Sequence, residues 1–131
     1  MPGSQPPPRP TPSTWSIQDA VDTYHVDAWG EGYFGINAEG HVEVTPHADA
    51  GAAVDLHDLV VDLKRRGVEL PVLVRFSEIM EHRLRTLNEA FRRASELYGY
   101  RGGYQSVYPI KVNQQADIVE ELLEFGRPWQ M

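Results

Sequence analysis

The stretch YQSVYPIKVNQQ, residues 104–115, carries the side chain with the widest chemical reach in this chain, Lys111. It reads as a strand ending in the lysine, with a helix start just behind. In α/β barrels the working side chains sit at the C-terminal ends of strands. A lysine withdrawn from water there gives up its proton more readily than a solvated one. The neutral amine attacks an aldehyde and forms an imine. Strand alternation puts Gln105, Val107, Pro109 and Lys111 on one face, and Ser106, Tyr108 and Ile110 on the other. The lysine face is expected to be interior, among small or apolar neighbours. The same letters also fit a solvated lysine that marks a strand's exit. Pro109 removes a ladder donor from a strand read as central. Asn113, two residues on, serves as the N-cap of the next helix, with contact to a bound cofactor or substrate as the alternative.

Other candidates read as structural. The five histidines are His25, His41, His47, His57 and His82. None has a partner at i+4 with a carboxylate between, so the spacing assigns no metal ligand. Arg83, Arg85, Arg92 and Arg93 are interleaved with Glu78, Glu81, Glu89 and Glu96, which favours a solvated, salt-bridged helix face over a phosphate site. Trp29, Tyr33 and Phe34 read as core at a hairpin rather than as a ligand platform.

The elements that must position Lys111 follow from caps and periodicity. Residues 1–14 are a Pro-rich tail with no large apolar side chain, expected to be disordered. Residues 15–70 form a helix, hairpin and helix region. Ser16 caps a short helix with Ile17, Ala20, Val21 and Tyr24 on one face. Alternation on both sides of NAEG marks a β-hairpin over about residues 33–45, with Gly40 in its turn. Asp55 caps a second helix, with Leu56, Leu59, Val60 and Leu63 as its stripe and Gly67 as its stop. Residues 71–131 begin an α/β unit. LPVLVRF is a short buried strand, and Ser77 caps the longest helix, buried through Ile79, Leu84, Leu87, Phe91, Ala94 and Leu97 or Tyr98. After the lysine strand, a helix packs through Ile118, Val119, Leu122 and Leu123, and RPWQM opens a further strand. Strand, helix, strand, helix and strand start is the rhythm of a parallel α/β fold. One such unit cannot close a barrel, so the chain is expected to be a fragment of a longer protein.

Composition narrows the class. The 131 residues are 41% hydrophobic and 24% charged, enough for one modest domain. A net charge of −7 argues against nucleic acid and gives little support to an anionic membrane partner. No cysteine is present, which removes disulfides, thiolate catalysis and cysteine-ligated zinc. No apolar run approaches transmembrane length, and MPGSQPPPRPTPST lacks the apolar core of a secretory signal, so a cytoplasmic location is expected.

Three blocks in order carry a family resemblance: WGEGYFGINAEGHVEV, LPVLVRFSEIMEHRLRTLNEAFRRA and YGYRGGYQSVYPIKVNQQ. Together they resemble the N-terminal part of the biosynthetic arginine decarboxylases, over about residues 15–130. KVN alone is shared with related decarboxylases and racemases; WGEGYFGIN together with YPIKVNQ is specific to the arginine branch. The resemblance implies an alanine racemase-like (β/α)8 barrel of fold type III, preceded by a helix and β-hairpin that join a β-sandwich domain. It implies pyridoxal 5′-phosphate held by Lys111 as an imine, L-arginine as the small-molecule substrate, agmatine for polyamine and spermidine synthesis as product, and a homo-oligomeric parent. It also implies Mg2+, with no ligand assigned in this sequence. Residues for the phosphate, the pyridine nitrogen and the guanidinium are expected downstream, so the segment by itself is expected to be inactive. Two alternatives stay open: another fold type III decarboxylase, acting on diaminopimelate or ornithine, and a non-enzymatic binding module.

Overall fold

A computed structural model describes residues 14–47 and 52–129. The Pro-rich tail therefore lies almost wholly outside the described residues. Helix α1 (Ile17–Tyr24) starts where the sequence places its cap. The Ser16 hydroxyl accepts from the Asp19 N–H at 3.2 Å, and the Asp19 carboxylate accepts from the Ser16 N–H at 2.8 Å. These two bonds satisfy donors that a helix start leaves open. The Ser16 hydroxyl also donates to Asp19, and its bonds hold that carboxyl below the usual carboxylate range. His25, at φ 51°, breaks the helix, and a short α2 (Val26–Gly30) follows.

The hairpin forms as read. Strands β1 (Phe34–Ile36) and β2 (Val42–Val44) pair antiparallel, with Phe34 opposite Val44. Asn37 Oδ1 accepts from the N–H groups of Glu39 and His41, and Gly40 takes φ 82°, a conformation glycine adopts without strain. A two-residue strand, β3 (Val54–Asp55), completes a three-stranded antiparallel sheet in the order β1-β2-β3. Val44, in its central strand, is fully buried, and Val26 and Tyr33 are buried with it. Helix α3 (Leu56–Arg65) leaves this sheet directly, capped by Asp55, whose Oδ1 accepts from the Asp58 N–H at 3.0 Å.

The second half is a helix pair. Helix α4 (Ser77–Leu97) packs on α5 (Ala116–Gly126) through Leu84 and Ile118, both buried. Ser77 Oγ donates to Glu121 at 2.9 Å, and Arg75 pairs with Asp117 at 3.1 Å and with Gln115. Polar contacts that join the halves among the described residues include Tyr33 Oη with His82 Nδ1 at 2.6 Å and Arg83 with Glu31 at 2.7 Å. The fold is mixed α/β, with its sheet antiparallel and small.

Several readings are corrected. LPVLVRF and residues 104–110 are not strands, because a strand exists only where a ladder partner satisfies its backbone, and neither has one among the described residues. Nor is LPVLVRF buried: Leu73 is 76% exposed. RPWQM begins as a 3-10 turn, Arg127–Trp129, in place of a strand. Ser77 is the first helical residue, with Phe76 at the cap, and its hydroxyl is spent on Glu121. Gln115, not Asn113, caps α5. Leu87, Phe91, Leu97 and Tyr98 of the expected α4 stripe are exposed, as is Leu123 of α5. No sheet covers these positions among the described residues.

Candidate functional site around Lys111

The segment before Lys111 is fastened to α4 by one polar pair and one aromatic pair. Asn88 and Ser106 are both buried; Ser106 Oγ donates to Asn88 Oδ1 at 2.8 Å, and Asn88 Nδ2 donates to the Leu84 carbonyl at 2.8 Å. Tyr104 stacks on Phe91 with ring centroids 4.0 Å apart. From there the burial alternates as a strand's would. Ser106 and Tyr108 face the helices, whereas Gln105, Val107 and Pro109 face outward.

The periodicity is thus correct and its polarity reversed. The face that carries Lys111 is the exposed one, and Lys111 itself is exposed. It lies in the 3-10 turn Ile110–Val112, closed by the Val112 N–H donating to the Pro109 carbonyl at 2.9 Å. The Tyr108 hydroxyl reaches the Asn113 carbonyl at 3.4 Å, bridging the turn from both sides. Asn113 Oδ1 accepts from the Gln115 N–H at 3.1 Å and so braces the approach to α5 from two residues before the cap position. Among the described residues Lys111 makes no ion pair.

Two apolar cavities adjoin the turn without including the lysine. One, of about 210 Å³, lies between residues 105–110 and Val119, Leu122 and Leu123 of α5. The other, of about 400 Å³, is lined by Ile79, Leu84, Leu87, Tyr108, Ile118 and Leu122. Tyr108 forms part of both walls. Chemically the arrangement offers one accessible primary amine on a braced turn. A bond from that amine to an aldehyde fits the geometry. No phosphate cradle is formed beside it among the described residues.

The remaining candidates sort cleanly. Two of the four α4 arginines form the salt-bridged face read from their spacing, Arg92 with Glu96 at 2.7 Å and Arg93 with Glu89 at 3.8 Å, whereas Arg83 pairs off the helix with Glu31 and Arg85 makes no ion pair among the described residues. Tyr33 is core, while Trp29 is half exposed and tilts against Phe34 at 5.2 Å. His82 is the partner of Tyr33. His41 and His57, far apart in sequence, come together beside Asp55, a juxtaposition that linear spacing does not signal.

No protein-family model matches the chain. Among curated proteins it is 50% identical over 118 residues to the biosynthetic arginine decarboxylase of Thermosynechococcus vestitus, covering 90% of this chain and 18% of that protein. It is 47% identical over 116 residues to the one of Gloeobacter violaceus, covering 88% and 18%. Biosynthetic arginine decarboxylase 1 of a Synechocystis species is 49% identical over 115 residues, covering 88% and 16%. The chain thus spans less than a fifth of the length of the curated relatives it matches. At about 50% identity over about nine-tenths of its length, the chain is thus similar to a segment of the biosynthetic arginine decarboxylases.

Proposed function

We propose that this chain is the segment of an arginine decarboxylase that supplies the cofactor-anchoring lysine, Lys111. The single observation that carries the reading is the accessible amine, on a turn braced at both ends, within a stretch matched by arginine decarboxylases. The reaction is L-arginine to agmatine and carbon dioxide, in the cytoplasm. Pyridoxal phosphate, when bound, supplies an electron sink for the pair left at Cα as the carboxylate departs. Lys111 Nζ would hold the cofactor by its aldehyde carbon. The brace of Tyr108 and Asn113 fixes where Nζ starts from.

In this reading residues 104–110 are the first strand of a (β/α)8 barrel, gaining ladder partners from chain beyond this segment, and residues 15–70 join a second domain. The outward face of Gln105, Val107 and Pro109 then becomes interior, and Lys111 with it. The enzyme is a homo-oligomer. Magnesium, if required, needs an oxygen-rich octahedral site, and no residue of this chain is assigned to it.

The test is a chimera in which this chain replaces the matching segment of the Thermosynechococcus enzyme. The expected result is agmatine production and cofactor absorbance, both lost in Lys111→Ala. A folded chimera with no activity, or a Lys111→Ala chimera that keeps turnover, overturns the reading.

A further inference from the structure

The ligand atoms of His41, Asp55, His57 and Asp58 all lie within 4.8 Å of one another, on a different part of the fold from Lys111. His41 comes from the hairpin, just before β2, and the other three from the β3–α3 junction. The imidazoles of His41 and His57 lie with centroids 4.3 Å apart and planes tilted by 32°, and His41 Nδ1 sits 2.8 Å from Asp55 Oδ2. We propose that these four side chains form a binding site for a divalent cation of the zinc class, one that joins the hairpin to the start of α3.

The donor set decides the class of ion. Two imidazoles and two carboxylates suit zinc and its transition-metal neighbours, while magnesium and calcium take oxygen shells. The geometry divides the ligands into a half-buried, hydrogen-bonded pair and an exposed pair. Asp55 is held by the Asn37 amide at 2.7 Å and by the Asp58 N–H at 3.0 Å, and His41 is held by Asp55. A tetrahedral zinc shell with bonds of about 2 Å puts its ligand atoms roughly 3.3 Å apart, so the 2.8 Å pair opens by roughly half an ångström. His57 and Asp58, 59% and 78% exposed with Nδ1 and Oδ1 3.4 Å apart, stand on the solvent side of the cluster. Asn37 acts as a positioning residue, orienting the Asp55 carboxylate as outer-shell groups orient metal ligands. A hydrogen-bonded surface cluster accounts for the Asp55 contacts, but gives no reason for a second imidazole 4.3 Å from the first.

The test uses the chain stripped of metal and titrated with zinc ion, with bound metal read by equilibrium dialysis and elemental analysis. One equivalent is expected to bind. Replacing zinc by cobalt is expected to give the intense visible absorption of a four-coordinate ion. His57→Gln changes an exposed side chain, so the fold survives, and zinc affinity is expected to fall at least about tenfold. Asn37→Ala is expected to weaken it by about tenfold, in the range of outer-shell losses. His82→Gln, outside the cluster, is expected to leave it unchanged. Absence of stoichiometric zinc, an unaltered affinity in His57→Gln, or magnesium binding as tightly as zinc each overturns the proposal.

Discussion

Lys111 shows how much one residue's chemistry depends on what surrounds it. Sequence alternation correctly separates Ser106 and Tyr108 from Gln105, Val107 and Pro109, yet it cannot say which face is interior. That choice is made by whichever elements arrive, and here α4 and α5 cover the Ser106 side. The polar partner of Ser106 was not legible, because Asn88 is distant in sequence and lies on a helix read mainly for its apolar stripe. Its importance is testable. Ser106→Ala leaves Asn88 Oδ1 buried without its partner, which costs about 1–3 kcal/mol. Chemical denaturation should show it as a lower midpoint with an unchanged slope, whereas a surface change such as Gln105→Ala should leave the midpoint alone. For Asn113→Ala the expected loss is smaller, about 0.5–1 kcal/mol, because the side chain satisfies one N–H near the start of α5. A loss above that range would mean that Asn113 does more than brace the turn.

Among the elements, helices were more legible than strands, for a physical reason. A helix closes its own hydrogen bonds, so cap and stripe suffice: Ser16 and Asp55 stand where the sequence places them, and Gly67 follows α3 at φ 82°. A strand needs a second strand, and the sequence of LPVLVRF contains no statement of what lies beside it. Elements that escaped the reading include α2, β3 and the 3-10 turn Ile110–Val112. The turn between α1 and α2 is made by His25 in a left-handed conformation that glycine usually takes, and β3 is too short to show alternation. The α1 cap also predicts an acid response. The Asp19 carboxyl is held below its usual 3.8 chiefly by the Ser16 hydroxyl, then by the Ser16 N–H. Its folded pKa being the lower one, the cap's contribution is present above the unfolded pKa and lost as pH falls through the folded value. Amide exchange over Ile17–Ala20, corrected for its intrinsic pH dependence, should therefore lose protection below about pH 4, within the range of the ordinary Asp pKa. In Asp19→Asn that step should vanish; a step of the same size in the variant would assign the effect to another group.

The molecule as a whole carries two extended apolar stretches whose backbones have no ladder partner among the described residues. Leu73 is 76% exposed, Val107 83% and Val112 74%, beside half-covered Ile110, Leu123, Leu87 and Phe91. Strand-like segments with free backbone donors and acceptors are templates for pairing with another chain, and contiguous apolar surface adds to the attraction. Charge opposes it, since each copy carries −7. The 131-residue chain is therefore expected to associate with itself as concentration rises, and more strongly at high salt, where repulsion between like-charged copies is screened. An association held by ion pairs would show the opposite salt dependence. Sedimentation velocity across a concentration and salt series separates the two, and Val107→Lys should shift the equilibrium toward monomer by placing a charge in the extended stretch. Purified alone, the chain is also expected to yield no agmatine from arginine, since it offers the amine without a phosphate cradle among its described residues. A monomer at every concentration, with measurable agmatine, would mean that the outward face of residues 105–109 needs no covering partner and that the reactive site is already complete around Lys111.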